Sequence, residues 1–256
     1  LAVTALGTHD TTIGGTPVSD ECLAPGWTDY RHRLSYRVHD VTRLLTAGEN
    51  EIASVVGDGW WCGHVEWRPR EKYGERPAFS AILRIEYADG RTEEIVTDES
   101  WTVAYGPILR ADCIMGQIED RRQDWSFGVL SVTHAPVAPT PAPHEPVRPT
   151  VELPAIGIDV KHEWPQDRYV VDFGQNLTGR VRIRLRGKKG DTVRLRYAEI
   201  LTKNQTGDIY RDNLRSAEAI DYVTLGADEE LFEPKHTFHG FRYMDVAGLR
   251  TPLEKE

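Results

Sequence analysis

Cysteine is scarce in this chain, and the few residues present form no recognisable pattern. The 256 residues include three cysteines, Cys22, Cys62 and Cys113. Their odd number and wide spacing match neither a disulfide framework nor a set of zinc ligands. Buried thiols are the usual alternative, and they favour a reducing compartment. We therefore expect a cytoplasmic location, and since the chain begins with Leu1 rather than Met, we expect its natural N-terminus to be missing.

Long apolar runs and an excess of positive charge are absent as well. No run approaches the roughly 18 apolar residues of a membrane helix, and no basic-then-apolar start marks a signal peptide. The formal net charge is −9, whereas nucleic-acid binding usually requires a basic face. The sequence thus predicts neither a membrane nor a nucleic acid as partner, and it is compatible with a small molecule or a carbohydrate.

Helical periodicity and the common catalytic motifs are also missing. No stretch of about 12 residues has the apolar spacing of an amphipathic helix, which excludes most α/β enzymes and any helical barrel. The chain contains no Walker loop, dinucleotide fingerprint, HExxH or GxSxG motif. Its 40 acidic residues would permit a glycosidase pair of carboxylates, but no spacing identifies one. We predict no catalytic residue within this chain.

Short segments of alternating apolar and polar residues are what the sequence does contain. This alternation is typical of half-buried strands, and it recurs at residues 34–38, 51–56, 79–87, 91–97, 101–104, 181–185, 193–197, 222–225 and 241–246. Asp89-Gly90 predicts a hairpin turn. Residues 180–186 and 193–197, joined by the glycine turn 187–190, predict a second hairpin with one apolar and one arginine face. That arginine face fits a solvated surface, a surface covered by another domain, or an anion site.

A proline-dense segment divides the chain. Prolines remove amide donors and stiffen the backbone, so residues 136–154 fit a linker, with a polyproline ligand for a partner as the alternative. The many short strands predict an all-β fold of two tandem antiparallel β-sandwich, jelly-roll-like domains, at residues 1–135 and 155–256.

The stretch from Val55 to Gly63 holds most of the candidate binding residues. Asp58 lies between two glycines, and Trp60 and Trp61 follow. Indole faces beside a carboxylate can form a platform for a sugar. The alternative is a tight turn whose tryptophans close the end of a sandwich. Asp58 and Glu119 both lie in loop-like, glycine-containing stretches, so they are candidate oxygen ligands for Ca²⁺.

Several motifs together resemble one known family. The N-terminal β-sandwich of bacterial α-L-rhamnosidases is similar in residues 23–30, 36–45, 48–50, 57–61 and 73–77. The β-sandwich that precedes the catalytic barrel in that family is similar in residues 172–179, 197–201, 213–217 and 238–243. These matches lie in the family's order and cover nearly the whole chain.

The resemblance implies a part of a larger glycoside hydrolase. In that family an (α/α)₆ barrel carries the catalytic acid and base, and the enzymes cleave terminal α-L-rhamnose with inversion. The present chain would then be a non-catalytic region whose partner is the missing catalytic domain. In some relatives the first sandwich binds rhamnose with calcium. Here Gln117 stands where the family usually has a glutamate, and residues 13–15 lack the family's Asn-Gly turn; the first departure weakens the case for calcium.

Overall fold

The fold is almost entirely β-structure. A computed structural model describes residues 1–66, 69–204 and 206–254. No helix in these ranges is long and apolar enough to cross a membrane. The helical elements are α1 (Gly59–Cys62) and the 3₁₀ turns Thr42–Leu44 and Asp212–Leu214. The strands are β1 (Ala2–Leu6), β2 (Thr8–Ile13), β3 (Thr16–Pro17), β4 (Leu34–Val38), β5 (Ile52–Gly57), β6 (Ala78–Glu86), β7 (Thr92–Val96), β8 (Ala104–Tyr105), β9 (Ile108–Asp112), β10 (Gly116–Asp120), β11 (Ser126–Phe127), β12 (Pro139–Pro141), β13 (Gly157–Lys161), β14 (Arg168–Gly179), β15 (Ile183–Arg186), β16 (Thr192–Ala198), β17 (Ile200–Leu201), β18 (Ile209–Tyr210), β19 (Ile220–Thr224), β20 (Glu229–Phe232) and β21 (His239–Ala247).

Two compact units make up the chain. The first unit comprises Leu1–Ala104 and Phe127–Pro149, and the second comprises Tyr105–Ser126 and Thr150–Glu256. Residues 105–126, which the sequence assigned to the first domain, therefore belong to the second unit. They do so because β10 pairs with β19, more than a hundred residues later in the chain. No local sequence signal marks that pairing.

The first unit is built on a five-stranded sheet in the order β12-β4-β1-β6-β7 and a three-stranded sheet in the order β3-β2-β5. Its core contains Val3, Ile13, Ala81 and Leu83. Ala81 and Leu83 alternate with exposed residues along β6, as expected for a strand with one buried face. The predicted β6–β7 hairpin is confirmed, with Glu86 opposite Thr92. The predicted strand at 101–104 is wrong, since only its last residue is in a strand.

The second unit places a seven-stranded sheet, in the order β13-β14-β21-β16-β19-β10-β9, with the two-stranded sheet β15-β20. Its core is larger and includes fully buried Leu185, Val193, Leu195 and Phe232. The predicted hairpin between residues 180–186 and 193–197 is wrong, because β15 pairs with β20 while β16 pairs with β19 and β21. Both segments bury their apolar face in one core, but they do so from different sheets.

The all-β class of the sequence prediction is confirmed, with mostly antiparallel sheets in each unit. Among the strand pairs whose registers the described residues give, β12–β4 and β10–β19 are parallel. Antiparallel sheets with one buried face explain why the apolar residues alternate so regularly in the sequence.

Candidate functional site

The glycine–tryptophan stretch folds as the end of β5 followed by the single turn α1. Gly7 and Gly59 lie against each other here, both with positive φ (125° and 50°). A Cβ on Gly7 would lie 2.2 Å from the carbonyl oxygen of Gly57, and a Cβ on Gly59 would lie 2.9 Å from the backbone of Gly7. These close approaches explain the glycines structurally, since no other residue fits without moving the backbone.

Asp58, a predicted ligand for both sugar and metal, points back into the protein. One of its oxygens, Oδ2, accepts a hydrogen bond from Nη2 of Arg70 at 2.9 Å, and Oδ1 lies 3.3 Å from Sγ of Cys62. Arg70 also donates from Nε to the carbonyl oxygen of Cys62 at 3.3 Å. Asp58 thereby ties α1 to the loop that follows it.

The Cys62 thiol is held in its protonated form by the same arrangement. Its side chain is fully buried. Burial, together with the adjacent Asp58 carboxylate, raises the pKa of the Cys62 thiol well above its ordinary value. Because the thiolate is the reactive form of cysteine, this residue is unsuited to act as a nucleophile.

Trp61 is a core residue. Its ring lies edge-on to Tyr30 at 5.3 Å and is stacked with Tyr73 at 6.3 Å, while Nε1 donates to the carbonyl oxygen of Arg76 at 2.9 Å. Gly74 covers the indole so closely that a Cβ there would lie 2.3 Å from the ring. Trp61 therefore closes this part of the first unit and presents no face to a ligand, as the alternative interpretation of the sequence expected.

Trp60 is placed differently from its neighbour. Its ring lies nearly parallel to that of Trp27, with centroids 6.4 Å apart and 12° between the planes. Trp27, which the sequence did not single out, is 47% exposed. Trp60 is half-buried, so the stacked pair presents an indole surface to solvent mainly through Trp27.

Glu119, the second predicted metal ligand, belongs to the second unit and is buried on β10. Its Oε1 accepts from Nε2 of Gln117 at 2.5 Å, and its Oε2 accepts from Nε of Arg121 at 2.7 Å. Gln117, the residue that departs from the family pattern, also accepts from the backbone amide of His236 at 3.2 Å. Both oxygens of Glu119 therefore already have donors.

The geometry does not fit a calcium ion held by Asp58 and Glu119. Each carboxylate is bonded to an arginine, Asp58 to Arg70 and Glu119 to Arg121, which supplies the positive charge that Ca²⁺ would bring. Over residues 1–66, 69–204 and 206–254, no group of three or more His, Cys, Asp and Glu side chains is arranged to hold a metal ion.

A buried polar network in the second unit was not recognised from the sequence. Asp221, fully buried on β19, accepts from the Tyr197 hydroxyl at 2.7 Å and from the backbone amide of Gln117 at 2.7 Å. The Nε2 atom of His239 lies 3.2 Å from both of its oxygens. His239 also stacks on Tyr197, with a centroid distance of 4.0 Å. These contacts join β10, β16, β19 and β21.

Two family models match the chain. The model described as alpha-L-rhamnosidase N-terminal domain matches residues 1–158, and the model described as bacterial alpha-L-rhamnosidase concanavalin-like domain matches residues 162–256. The family resemblance read from the motifs is thus confirmed over nearly the whole chain.

Curated relatives and solved structures agree with these matches. An alpha-L-rhamnosidase of Streptomyces avermitilis is 43% identical over 263 residues, which cover 97% of this chain and 25% of the relative. An alpha-L-rhamnosidase of Alteromonas sp. is 34% identical over 267 residues, which cover 97% of this chain and 28% of the relative. The structure of the Streptomyces avermitilis alpha-L-rhamnosidase complexed with L-rhamnose is 40% identical, with a TM-score of 0.89 and coverage of 98% and 26%. The structure of the native Aspergillus terreus alpha-L-rhamnosidase is 33% identical, with a TM-score of 0.87. That match covers 99% of this chain and 31% of the other. The chain therefore spans about a quarter of the length of the curated relatives it matches.

Proposed function

The chain belongs to the α-L-rhamnosidase family, and we propose that it is the non-catalytic N-terminal region of an enzyme that hydrolyses terminal α-L-rhamnose from glycosides. Its role in that enzyme is to support the catalytic domain. The relatives are about four times longer than this chain, and the proposal rests on the family resemblance, which implies catalytic carboxylates in the part that this chain does not cover. The proposal accordingly assigns the chemistry to that part and a structural role to the two units described here.

One observation carries the supporting role. Phe127, Val129 and Val132 are 86%, 89% and 66% exposed, within a single short segment of the first unit. Scattered exposed apolar residues are ordinary, but a run of them on one segment is typical of a surface that another protein surface covers. We assign that cover to the remainder of the longer protein.

A chimaera tests the supporting role. This chain replaces the segment that it matches in the Streptomyces avermitilis relative, and both rhamnoside hydrolysis and the temperature of half-inactivation are measured. We expect an active chimaera in which F127S/V129S lowers the inactivation temperature, because the substitutions weaken an apolar contact. Val38→Ser is the matched control, since Val38 is 69% exposed in the same unit but lies outside the segment.

The isolated chain provides the second half of that test. It should not release nitrophenol from a nitrophenyl α-L-rhamnoside, and F127S/V129S should leave its own melting temperature unchanged. Turnover by the isolated chain, abolished by a single carboxylate substitution, would overturn the non-catalytic assignment. If F127S/V129S and V38S lowered the inactivation temperature of the chimaera equally, the assignment of this segment as a supporting surface would be refuted.

The exposed Trp27, which stacks on Trp60, supports a second candidate function, the binding of L-rhamnose or a rhamnoside. Aromatic faces stack on the apolar faces of sugars, and Trp27 offers one to solvent. Calorimetric titration of the chain with L-rhamnose, with and without a chelator, tests this function. Binding should be lost in W27A and kept in W164A, since Trp164 is 95% exposed elsewhere. No saturable heat at millimolar sugar in either condition would exclude it.

A further inference from the structure

Three arginines meet on the outer face of the seven-stranded sheet, opposite the core. Arg194 and Arg196 are two residues apart on β16 and therefore share one face of the sheet. The core-facing residues of this strand, such as Leu195, alternate with them. Arg211 comes from the loop after β18, and Asp245 on β21 stands directly opposite Arg196 in the ladder. We call this group the arginine cluster; it consists of Arg194, Arg196, Arg211 and Asp245.

The charges of the arginine cluster do not balance. Asp245 is fully buried and its Oδ1 accepts from Nε of Arg196 at 3.0 Å, with Nη2 of Arg194 at 3.7 Å. Its Oδ2 accepts from Nη1 of Arg168. Arg168 has two further carboxylates of its own, those of Glu163 and Asp208, whereas the cluster has only Asp245. Arg194 and Arg196 thus share one carboxylate that also pairs with Arg168. Arg211 donates to the backbone carbonyl oxygen of Glu218 and has no ion pair among the described residues, in a chain whose net charge is −9.

Hydrogen bonding in the arginine cluster is incomplete too. The Nε atoms of Arg194 and Arg211 are buried and have no hydrogen-bond acceptor among the described residues. A buried donor without an acceptor is unfavourable. Burial, and then the charges of Arg196 and Arg194, lower the pKa of Arg211, which is the direction expected where cations crowd together. Even so, 35% of the Arg194 side chain and 28% of the Arg196 side chain remain exposed, so a small solute can reach the group.

We propose that the arginine cluster is a binding site for an oxyanion, that is, a carboxylate or phosphate group carried by a small molecule. An oxyanion would supply negative charge beside these guanidinium groups and an acceptor for their unpaired N–H donors. The planar guanidinium group is suited to this, because its N–H donors match the spacing of oxygens in carboxylate and phosphate groups. Water could accept the hydrogen bonds but would leave the charges unbalanced. The inference is independent of the function proposed above.

Nuclear magnetic resonance of arginine Nε–Hε groups tests the site in the intact chain. The protein, labelled with ¹⁵N in its arginine side chains, is titrated with inorganic phosphate in one arm and with glutarate in the other. Sodium chloride keeps the ionic strength constant. We expect the Arg194 and Arg211 signals, assigned from the spectra of R194Q and R211Q, to shift and saturate. Saturation with phosphate alone identifies a site for tetrahedral anions, and saturation with both probes includes carboxylates; either result supports the site.

Matched variants make the test specific. R194Q/R211Q should bind the successful probe at least tenfold more weakly, while R184Q should bind it as the wild type does, because Arg184 is paired with Glu229 on the other sheet. If R194Q/R211Q does not fold, R211K takes its place. This substitution keeps the positive charge but removes the planar guanidinium group, so it too should bind the probe more weakly. Shifts that rise linearly without saturation in both arms, or undiminished binding by the variants, would overturn the proposal.

Discussion

Replacing Tyr197 with phenylalanine should destabilise the second unit by an amount that can be worked out from its contacts. Tyr197 is fully buried, and its hydroxyl donates to Oδ2 of Asp221 at 2.7 Å. The ring itself packs on His239 and Phe241, with centroid distances of 4.0 and 5.0 Å. Phenylalanine preserves these ring contacts and removes one hydroxyl. The substitution therefore isolates one hydrogen bond within the buried network.

The expected cost follows from the burial of Asp221. A hydrogen bond to a charged group contributes about 1.5–3 kcal/mol, and leaving a buried carboxylate oxygen short of a donor adds to the loss. Asp221 keeps its contacts with Gln117 and His239, so the network is weakened rather than removed. We expect Tyr197→Phe to lower the free energy of unfolding of this unit by about 2 kcal/mol, which corresponds to a melting temperature lower by roughly 4–10 °C.

Hydrogen exchange read by mass spectrometry is the assay, because it reports each unit separately. Peptides from β16, β19 and β21 should exchange faster in Tyr197→Phe, while peptides from the first unit should not change. Tyr222→Phe is the matched control; Tyr222 lies in the neighbouring strand, partly exposed on the outer face, and its loss should cost less than about 0.5 kcal/mol. If both variants exchange at the same rate, the Tyr197–Asp221 bond adds no stability and the reasoning fails.

Three further predictions concern backbone space, pH and thiol reactivity. Gly116→Ala should destabilise the second unit by about 3 kcal/mol or more, because its Cβ would lie 2.1 Å from a backbone oxygen at a φ of 102°. Gly90→Ala, at a φ of 86° in open space, should cost clearly less; equal losses of melting temperature would contradict the steric argument. Burial would raise the pKa of Glu233, but its two arginine partners outweigh burial and lower that pKa below 4.5. The ion pairs therefore add stability above pH 4.5 that is lost as the pH falls through the lowered pKa. Below pH 4.5 the melting temperature of the wild type should fall more steeply with decreasing pH than that of Glu233→Gln. Parallel slopes of melting temperature against pH would refute this. In the native chain a thiol reagent should label Cys22 first, because the other two cysteines are buried; equal labelling of all three without denaturant would be inconsistent with the structure.

The local parts of the fold could be predicted from the sequence. β6 and β7 are joined by a five-residue connection around Asp89-Gly90, and their alternation and turn chemistry together specify both strands and their pairing. The segments around β15 and β16 have equally clear alternation, yet they join different sheets. Alternation identifies which face of a strand is buried, but both layers of a sandwich bury their faces in the same core. Partner choice therefore depends on distant strands.

The candidate site shows the same limit. The motif around Asp58 identified a feature that matters to the first unit, but it could not distinguish a ligand-binding carboxylate from one that pairs with Arg70. Two adjacent tryptophans looked equivalent in the sequence, whereas one is buried against Tyr30 and the other stacks on Trp27. Successive residues of a one-turn helix point in different directions, so their environments differ although their sequence context is shared.

By itself, the sequence determined the all-β class, eight of the 21 strands in the described residues and the family, because these depend on local alternation, on turn residues and on motifs read along the chain. Only the tertiary structure decided the strand partners, the assignment of residues 105–126 to the second unit, and the hydrogen-bond and ion-pair partners of the polar side chains. Asp221, Tyr197 and His239 meet although 24 and 18 residues separate the pairs. The arginine cluster likewise brings Arg211 beside β16 and β21. Such groupings arise when strands distant in sequence become neighbours. They cannot be predicted from a residue pattern that is confined to one strand.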